Sequence, residues 1–435
     1  MTGCDGSKRS QTPSRRQFLK NGATAVLAGG LMSRLSPAVY AGGSDVLRIG
    51  LIGCGGRGTG AAKDALNADK NVQLVAMGDV FADQVKSSYE NLQKALGDRV
   101  NGTPPEQFVG FDAYKQVIEA SDVVLLATPP HFRPAHLRAA VEAGKHIFCE
   151  KPVAVDAPGA RSVFETTKLA DEKKLAIVSG LCWRYHHVLR ATFDQVLSGA
   201  IGDILAMQCS YNTQGLWKKP RQPEWSDMEW QVRNWLYFTW LSGDFITEQH
   251  VHSLDKMTWA MQGEAPVKAS GTGGRQVRTS PDYGHVYDHF AIEYEYANGV
   301  KAFSRCRQQD GCQGDITDHL FGTKGTCDIA SHRTKISGET KWKYKAPEGA
   351  KAINMYQFEH EELFRSIRAG EPINNGHYMT VSTMMAVMGR MAAYTGKTIT
   401  WDQAIHSAED LTPPAYEWGS LAMPSVAMPG VTPFV

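Results

Sequence analysis

Val46-Leu-Arg-Ile-Gly-Leu-Ile-Gly53-Cys-Gly55-Gly56-Arg57-Gly58-Thr-Gly60 is the stretch that decides the fold of this chain. An apolar run enters Gly53-Cys54-Gly55-Gly56-Arg57-Gly58, which fits G-x-G-x-x-G, and a helical run from Ala61 to Ala68 follows. In a strand–turn–helix unit each glycine has a task. Gly53 permits the tight turn, Gly55 lets the backbone approach a pyrophosphate, and Gly58 lets helix and strand pack closely. The helix start presents free N–H groups and a positive dipole end to an anion, which brings Gly56 and Arg57 into the same candidate site. G-x-G-x-x-G alone is weak evidence. Here an acid also stands at the right distance: Asp79, 21 residues after Gly58, at the end of a second apolar run from Val72 to Met77. A carboxylate there accepts hydrogen bonds from both ribose hydroxyls and repels a 2′-phosphate. No arginine follows in Val80-Phe81-Ala82-Asp83, so NAD is expected rather than NADP. The plain alternative is a solvated turn aspartate beside a structural glycine loop.

Downstream the pattern alternates. Helices are expected over 81–96, 113–120, 135–143 and 158–173, and strands over 123–127, 146–149 and 175–178. Such alternation predicts an α/β fold with a doubly wound parallel sheet. After Gly180 the pattern changes. Phe290, Ile292, Tyr294 and Tyr296 alternate with Glu293 and Glu295, and Asn298-Gly299 turns the chain into 300–305. This is a hairpin signal, and it predicts a second α/β domain with a largely antiparallel open sheet. The expected organisation is a leader over 1–41, a nucleotide-binding domain over 42–180, a substrate and oligomerisation domain over 181–410 and an extended arm over 411–435.

The leader holds Ser14-Arg15-Arg16-Gln17-Phe18-Leu19-Lys20, a mild apolar run from Ala23 to Leu35, and Ala38-Val39-Tyr40-Ala41. Basic start, apolar middle and small-residue end describe an export signal, and the arginine pair points to the twin-arginine route. The apolar run is too short for a membrane span. A basic leader that stays attached is the alternative. The twin-arginine route is associated with folded cargo, so a nucleotide-binding domain exported to the periplasm would carry its cofactor with it, tightly held and recycled in place.

The 435 residues suit two domains rather than one core. Lys and Arg total 46 against 45 Asp and Glu, which offers no footprint for nucleic acid or a membrane surface. The eight cysteines form no C-x-x-C pair, so a zinc knuckle is not expected, and an oxidising compartment would permit a Cys306–Cys312 bridge.

Ligands of open α/β sheets bind outside the carboxyl ends of the strands. Thr128, Pro129 and His131 lie at one such end, and Glu150-Lys151-Pro152 at another. The Lys151 ammonium there could favour the alkoxide formed as hydride leaves a substrate hydroxyl. In Glu248-Gln249-His250-Val251-His252-Ser253-Leu254-Asp255, a continuous helix would put Glu248, His252 and Asp255 on one face. His252 is then a candidate proton acceptor oriented by Glu248. H-E-x-x-H is absent, so no metal is expected. Capping or core histidines are the bland alternative. Upstream, Trp217, Trp225, Trp230, Trp235 and Trp240 cluster, and indole faces suit the C–H faces of sugars as well as a core or an interface.

The glycine loop, Asp79, Glu150-Lys151-Pro152 and the 248–255 segment before Trp259 together resemble the glucose-fructose oxidoreductase / inositol dehydrogenase / rhizopine catabolism (Gfo/Idh/MocA) family over about residues 46–410. The resemblance implies a Rossmann domain and a C-terminal α/β domain whose open sheet makes homodimers or homotetramers. It also implies oxidation or reduction at a carbinol of a sugar, sugar derivative or cyclitol, with Lys151 and His252 as polar catalytic groups. The family's common Asp-x-Gly-x-His becomes Glu248-Gln249-His250-Val251-His252 here, so His250 could contact substrate or replace His252, with Trp235 and Asp255 as further substrate contacts. Some exported relatives are NAD-dependent glycoside hydrolases that oxidise transiently and eliminate the aglycone, for which Tyr185 and His186 could serve. A non-catalytic sugar-binding protein is the third possibility.

Overall fold

Val123-Val124-Leu125-Leu126 is wholly apolar, and all four side chains are buried. A strand buries both faces only inside a sheet covered on both sides. Its alternate residues feed two different cores: Val123 and Leu125 pack with Ile49, Leu51 and Phe148, whereas Val124 and Leu126 pack with Ile52, Ile147 and Cys149. That division is the doubly wound sheet expected from the sequence. The structure, a computed structural model, describes residues 45–331, 333–346 and 354–435, and the leader with its arginine pair lies outside them.

The first sheet is assembled from β1 (Leu47–Ile52), β2 (Val72–Asp79), β3 (Glu106–Val109), β4 (Val123–Leu126), β5 (His146–Cys149) and β6 (Ile177–Ser179). Their order is β3-β2-β1-β4-β5-β6 and every pairing is parallel. Strand order reverses between β1 and β4, so the crevice at their carboxyl ends is the topological switch point at which such sheets bind ligands. Helices α1 (Gly56–Ala68), α2 (Ala82–Leu96), α3 (Ala113–Ala120), α4 (Arg133–Glu142) and α5 (Ala157–Glu172) connect the strands, and Asp156 caps α5 by accepting from the Gly159 N–H at 2.9 Å.

After α6 (His187–Leu197), a second sheet takes β7 (Ile204–Thr213) at its centre. The chain then passes through α7 (Asp227–Arg233), α8 (Phe245–Glu248) and α9 (Val251–Ala260) to β8 (Lys268–Gly274), β9 (His289–Glu295), β10 (Lys301–Gln308), β11 (Asp315–Gly322), β12 (Gly325–Ala330) and β13 (Arg333–Gly338). With β14 (Ile399–Thr400) the order is β13-β12-β11-β7-β10-β9-β8-β14. It is antiparallel except where β7 runs parallel to β10. The hairpin between β9 and β10 turns at Asn298-Gly299, with Gly299 at φ +84°, the left-handed region that glycine enters without strain. Phe290, Ile292 and Tyr294 point into the core, while Phe303 and Phe321 stand exposed on the other face.

Two late helices tie the molecule together. In α10 (Met355–Ala369), Leu363 and Phe364 join the core of Ile49, Leu51 and Phe148, so the first sheet is completed by residues far downstream. Nearly every side chain of α11 (Gly376–Thr395) is buried. Residues 411–435 form no helix or strand. All seven described cysteines are free thiols, so the Cys306–Cys312 bridge that an oxidising compartment would permit is not formed. Among the described residues no helix is long and apolar enough to cross a membrane.

Candidate functional site

A cleft of about 570 Å³ opens at the switch point. Its floor is the glycine loop. A Cβ on Gly58 would stand 1.8 Å from the Gly53 carbonyl oxygen, and one on Gly53 would meet the Ala127 carbonyl carbon at 2.6 Å, so both positions are closed to any side chain. Gly55 and Gly56 differ, because a Cβ there meets nothing within 4 Å. They are glycine because that space belongs to the cleft, and a dinucleotide's pyrophosphate fits it with the first N–H groups of α1 facing it. Asp79 stands at the carboxyl end of β2. Its Oδ2 accepts from the Cys54 N–H at 2.7 Å and its Oδ1 from the Phe81 N–H at 3.0 Å. Asp79 lines the cleft, where its carboxylate can also accept from ribose hydroxyls. Burial raises the Asp79 carboxyl above its usual range, partly offset by these backbone donors. The residues present therefore fit the adenosine and pyrophosphate parts of NAD.

Thr128, Pro129, Arg57, Glu150 and Lys151 line the same cleft. Arg57 Nε donates to Glu150 Oε1 at 2.5 Å, its guanidinium lies 4.9 Å from the Tyr356 ring centroid, and its Nη2 is 3.7 Å from Glu359 Oε1. Burial works against the Arg57 charge, but Glu150, Glu359 and Asp64 more than offset it, and its pKa is raised. Glu359 is fully buried on α10. Burial first, then the neighbouring Glu150 charge, pushes its carboxyl well above the usual carboxylate range.

Across the cleft, Lys151 Nζ donates to the Glu248 backbone carbonyl at 2.5 Å and to Glu248 Oε1 at 3.1 Å. His252 lines the cleft alongside them. Burial, then the charges of Lys151, Lys256 and Arg57, hold its imidazole pKa well below the ordinary value, so it is neutral at pH 7. These groups are not on one continuous helix, as the spacing predicts. α8 ends at Glu248 and α9 begins at Val251, because the Gln249 and His250 N–H groups both return to the Phe245 carbonyl, at 2.9 and 3.1 Å, and widen the turn. Asp244 anchors this turn. It sits at φ +66°, and its carboxylate accepts from the Phe245 N–H at 2.6 Å, the Tyr287 N–H at 2.9 Å and the Tyr394 hydroxyl at 2.6 Å. With ψ at 163° this is a backbone region almost reserved for glycine, costing about 1–3 kcal/mol, which three buried hydrogen bonds to a carboxylate offset.

Four expected contacts lie elsewhere. His250 turns to the second sheet, with Nε2 2.6 Å from Ser304 Oγ, and burial pushes its pKa down to about 3. Two residues from His252, it faces away from the cleft, as helical spacing already places it. Asp255 is buried in an ion pair with Arg184 at 2.9 Å and accepts from the Ser382 hydroxyl at 2.9 Å. The Tyr185 hydroxyl donates to Asn375 Oδ1 at 2.7 Å within the first core. His131 packs edge-on to Trp240 and pairs with the Tyr416 hydroxyl at 2.7 Å, outside the cleft lining. The tryptophans divide: Trp217 and Trp235 line the cleft, while Trp230 and Trp240 are buried beneath them. Sequence reasoning missed Tyr356, Cys182, Lys219 and Arg233 in the cleft wall, since none belongs to a motif and each arrives from a distant element. Among the described residues, no group of three His, Cys, Asp or Glu side chains could hold a metal ion.

A parallel sheet with a glycine loop at its switch point, an acid at the end of β2 and a lysine at the end of β5 define a dinucleotide-dependent oxidoreductase. Comparison with known proteins agrees. Residues 47–180 match the oxidoreductase family with the NAD-binding Rossmann fold, and residues 190–328 match the Gfo/Idh/MocA C-terminal domain. The chain belongs to the Gfo/Idh/MocA family of oxidoreductases. Inositol 2-dehydrogenase of Acidothermus cellulolyticus is 24% identical over 331 residues, covering 74% of this chain and 85% of that one. The 2,7-anhydro-N-acetylneuraminate hydratase of Escherichia coli is 25% identical over 227 residues, covering 51% of this chain and 55% of its own length. A levoglucosan dehydrogenase solved with NADH and levoglucosan superposes with a TM-score of 0.64 at 17% identity, over 81% of this chain and 99% of that one, which is a likeness of fold.

Proposed function

We propose that this protein is an NAD-dependent dehydrogenase acting on a ring carbinol of a sugar, sugar derivative or cyclitol. The carrying observation is the convergence of the Lys151 ammonium, Glu248 and the neutral His252 on one wall of the cleft whose floor is the glycine loop. Bound NAD supplies the hydride acceptor. Lys151, held by Glu248, donates to the substrate oxygen and favours its alkoxide character, and His252 accepts the hydroxyl proton. Trp217 and Trp235 present indole surface to the C–H face of a sugar. The inositol and levoglucosan dehydrogenases among the similar proteins support this substrate class. Mass spectrometry of the nucleotide released on denaturation tests the reading. Stoichiometric NAD or NADH is expected, and a protein that is empty and fails to bind added NAD would sink it.

The hydratase among the relatives favours a second reading, transient oxidation followed by elimination, as in an NAD-dependent glycoside hydrolase. That enzyme would release an aglycone with no net change in cofactor redox state. The same proposal includes export to the periplasm by the twin-arginine machinery, with the cofactor tightly held and recycled. Replacing Arg15 and Arg16 by lysine should trap the protein in the cytoplasm. It also includes a homodimer or homotetramer formed through the open sheet face that exposes Phe303 and Phe321. A monomer by light scattering would refute that part.

A further inference from the structure

A narrow slot of about 40 Å³ leads off the cleft beside Asp79, walled by Val80, Phe111 and Phe132 from the first sheet's loops and by Val232 from α7. The slot is continuous with the cleft, with which it shares Asp79, Val80, Thr128, Pro129 and Val232. A purine held beside Asp79 would lie against these walls. What holds them is the C-terminal stretch. The Trp418 ring lies 4.8 Å from Phe111 and stacks on Phe81 at 5.4 Å and 20°. Tyr416 lies 5.9 Å from Phe111 and 5.7 Å from Phe132, and its hydroxyl pairs with His131. On the other side the same stretch is fastened to α7: the Met228 N–H donates to Gly419 O at 3.1 Å, Gln231 Nε2 to Leu421 O at 2.9 Å, and the Leu421 N–H to Asp227 Oδ2 at 3.2 Å. Residues 411–421 thus bridge the two sides of the cleft directly behind the slot.

The stretch is also built to lift without leaving. Tyr416 and Trp418 are 44% and 46% exposed, so they lie over the wall rings rather than within the core. The base of the loop is tied separately: the Ala408 N–H donates to Val435 O at 3.2 Å, the Ser407 hydroxyl to Val435 O at 2.5 Å, and the Gly430 N–H to Thr395 O at 2.9 Å. From this geometry we propose that residues 411–421 are a latch on the adenosine half of the NAD site, backing the slot's aromatic walls so that the dinucleotide enters and leaves only when the latch lifts. The inference rests on the NAD reading and supplies a structural cause for a retained cofactor.

The test is release of NADH from the full-length protein, followed as loss of bound NADH fluorescence during a chase with excess NAD. The comparison is between wild type, Tyr416→Ala/Trp418→Ala and Trp418→Phe. The double variant should release NADH about tenfold faster or more, the size expected for removing two aromatic contacts, and Trp418→Phe should stay near wild type. Equal release rates in wild type and the double variant overturn the latch while leaving the NAD reading intact. NADH binding to neither protein overturns both. Should the double variant fail to fold, hydrogen exchange on the wild type decides: NADH should slow exchange in 411–421, and unchanged exchange there overturns the latch.

Discussion

Two segments on facing walls of the cleft are held in opposite ways. The loop from Gly53 to Gly58 takes its shape from missing side chains, and its dimensions are those of backbone against backbone. The turn from Asp244 to His252 takes its shape from side chains, above all the Asp244 carboxylate with its three donors and the Lys151 ammonium on Glu248. A backbone-defined site tolerates almost no substitution at its contact points. A side-chain-defined site tolerates variation in its motif provided the network around it persists. That is why Glu248 and His250 can stand where the family's common pattern has an aspartate and a glycine.

Substitution in the loop should separate packing from binding most sharply. Gly58→Ala drives a methyl into the Gly53 carbonyl and is expected to destabilise the fold by more than about 3 kcal/mol, read as a large fall in midpoint on chemical denaturation. Gly55→Ala meets open space, so its midpoint should stay near wild type while NAD affinity falls. A stable Gly58→Ala protein would break the contrast. In the turn, Lys151→Ala and His252→Ala should each lower kcat by about 10²–10⁴-fold on an authenticated substrate, the usual scale for a lost general acid or base. His250→Ala should spare kcat and lower stability, because that ring faces Ser304. Asp244→Ala leaves buried donors unpaired and should cost about 2–3 kcal/mol, with Tyr394→Phe costing less.

Acid gives the most diffuse effect. Burial depresses the folded-state pKa of His131 and His285 to about 4 and of His136, His250 and His360 to about 3, and holds that of His252 well down. Below the unfolded value of about 6.5 the unfolded chain binds protons that the native protein does not. Their contribution is therefore full above pH 6.5 and is lost as pH falls from there, toward 4 for His131 and His285 and toward 3 for His136, His250 and His360. The melting temperature should drop steeply between pH 6.5 and 5, and His250→Asn should flatten that slope slightly.

Much of the molecule is legible in its amino-acid order alone. The first sheet apart from its edge strand β3, its helices, the glycine loop, Asp79, Lys151 and the β9–β10 hairpin all follow from signals within about twenty residues: apolar runs, periodicity, turn residues and a short motif. Those signals act through local backbone preference and the alternation of burial, so they survive whatever the rest of the chain does. The direction of the two histidines, the division of the tryptophans, the buried Glu359 beside Arg57 and the course of 411–421 depend on which distant element comes to lie alongside. His250 and His252 are two residues apart and chemically identical. Helical spacing turns them to opposite sides, but that one meets Ser304 and the other the cleft is decided by the turn at Phe245, pinned by Tyr287 and Tyr394, contacts that close only when α8, the segment before β9 and α11 pack together.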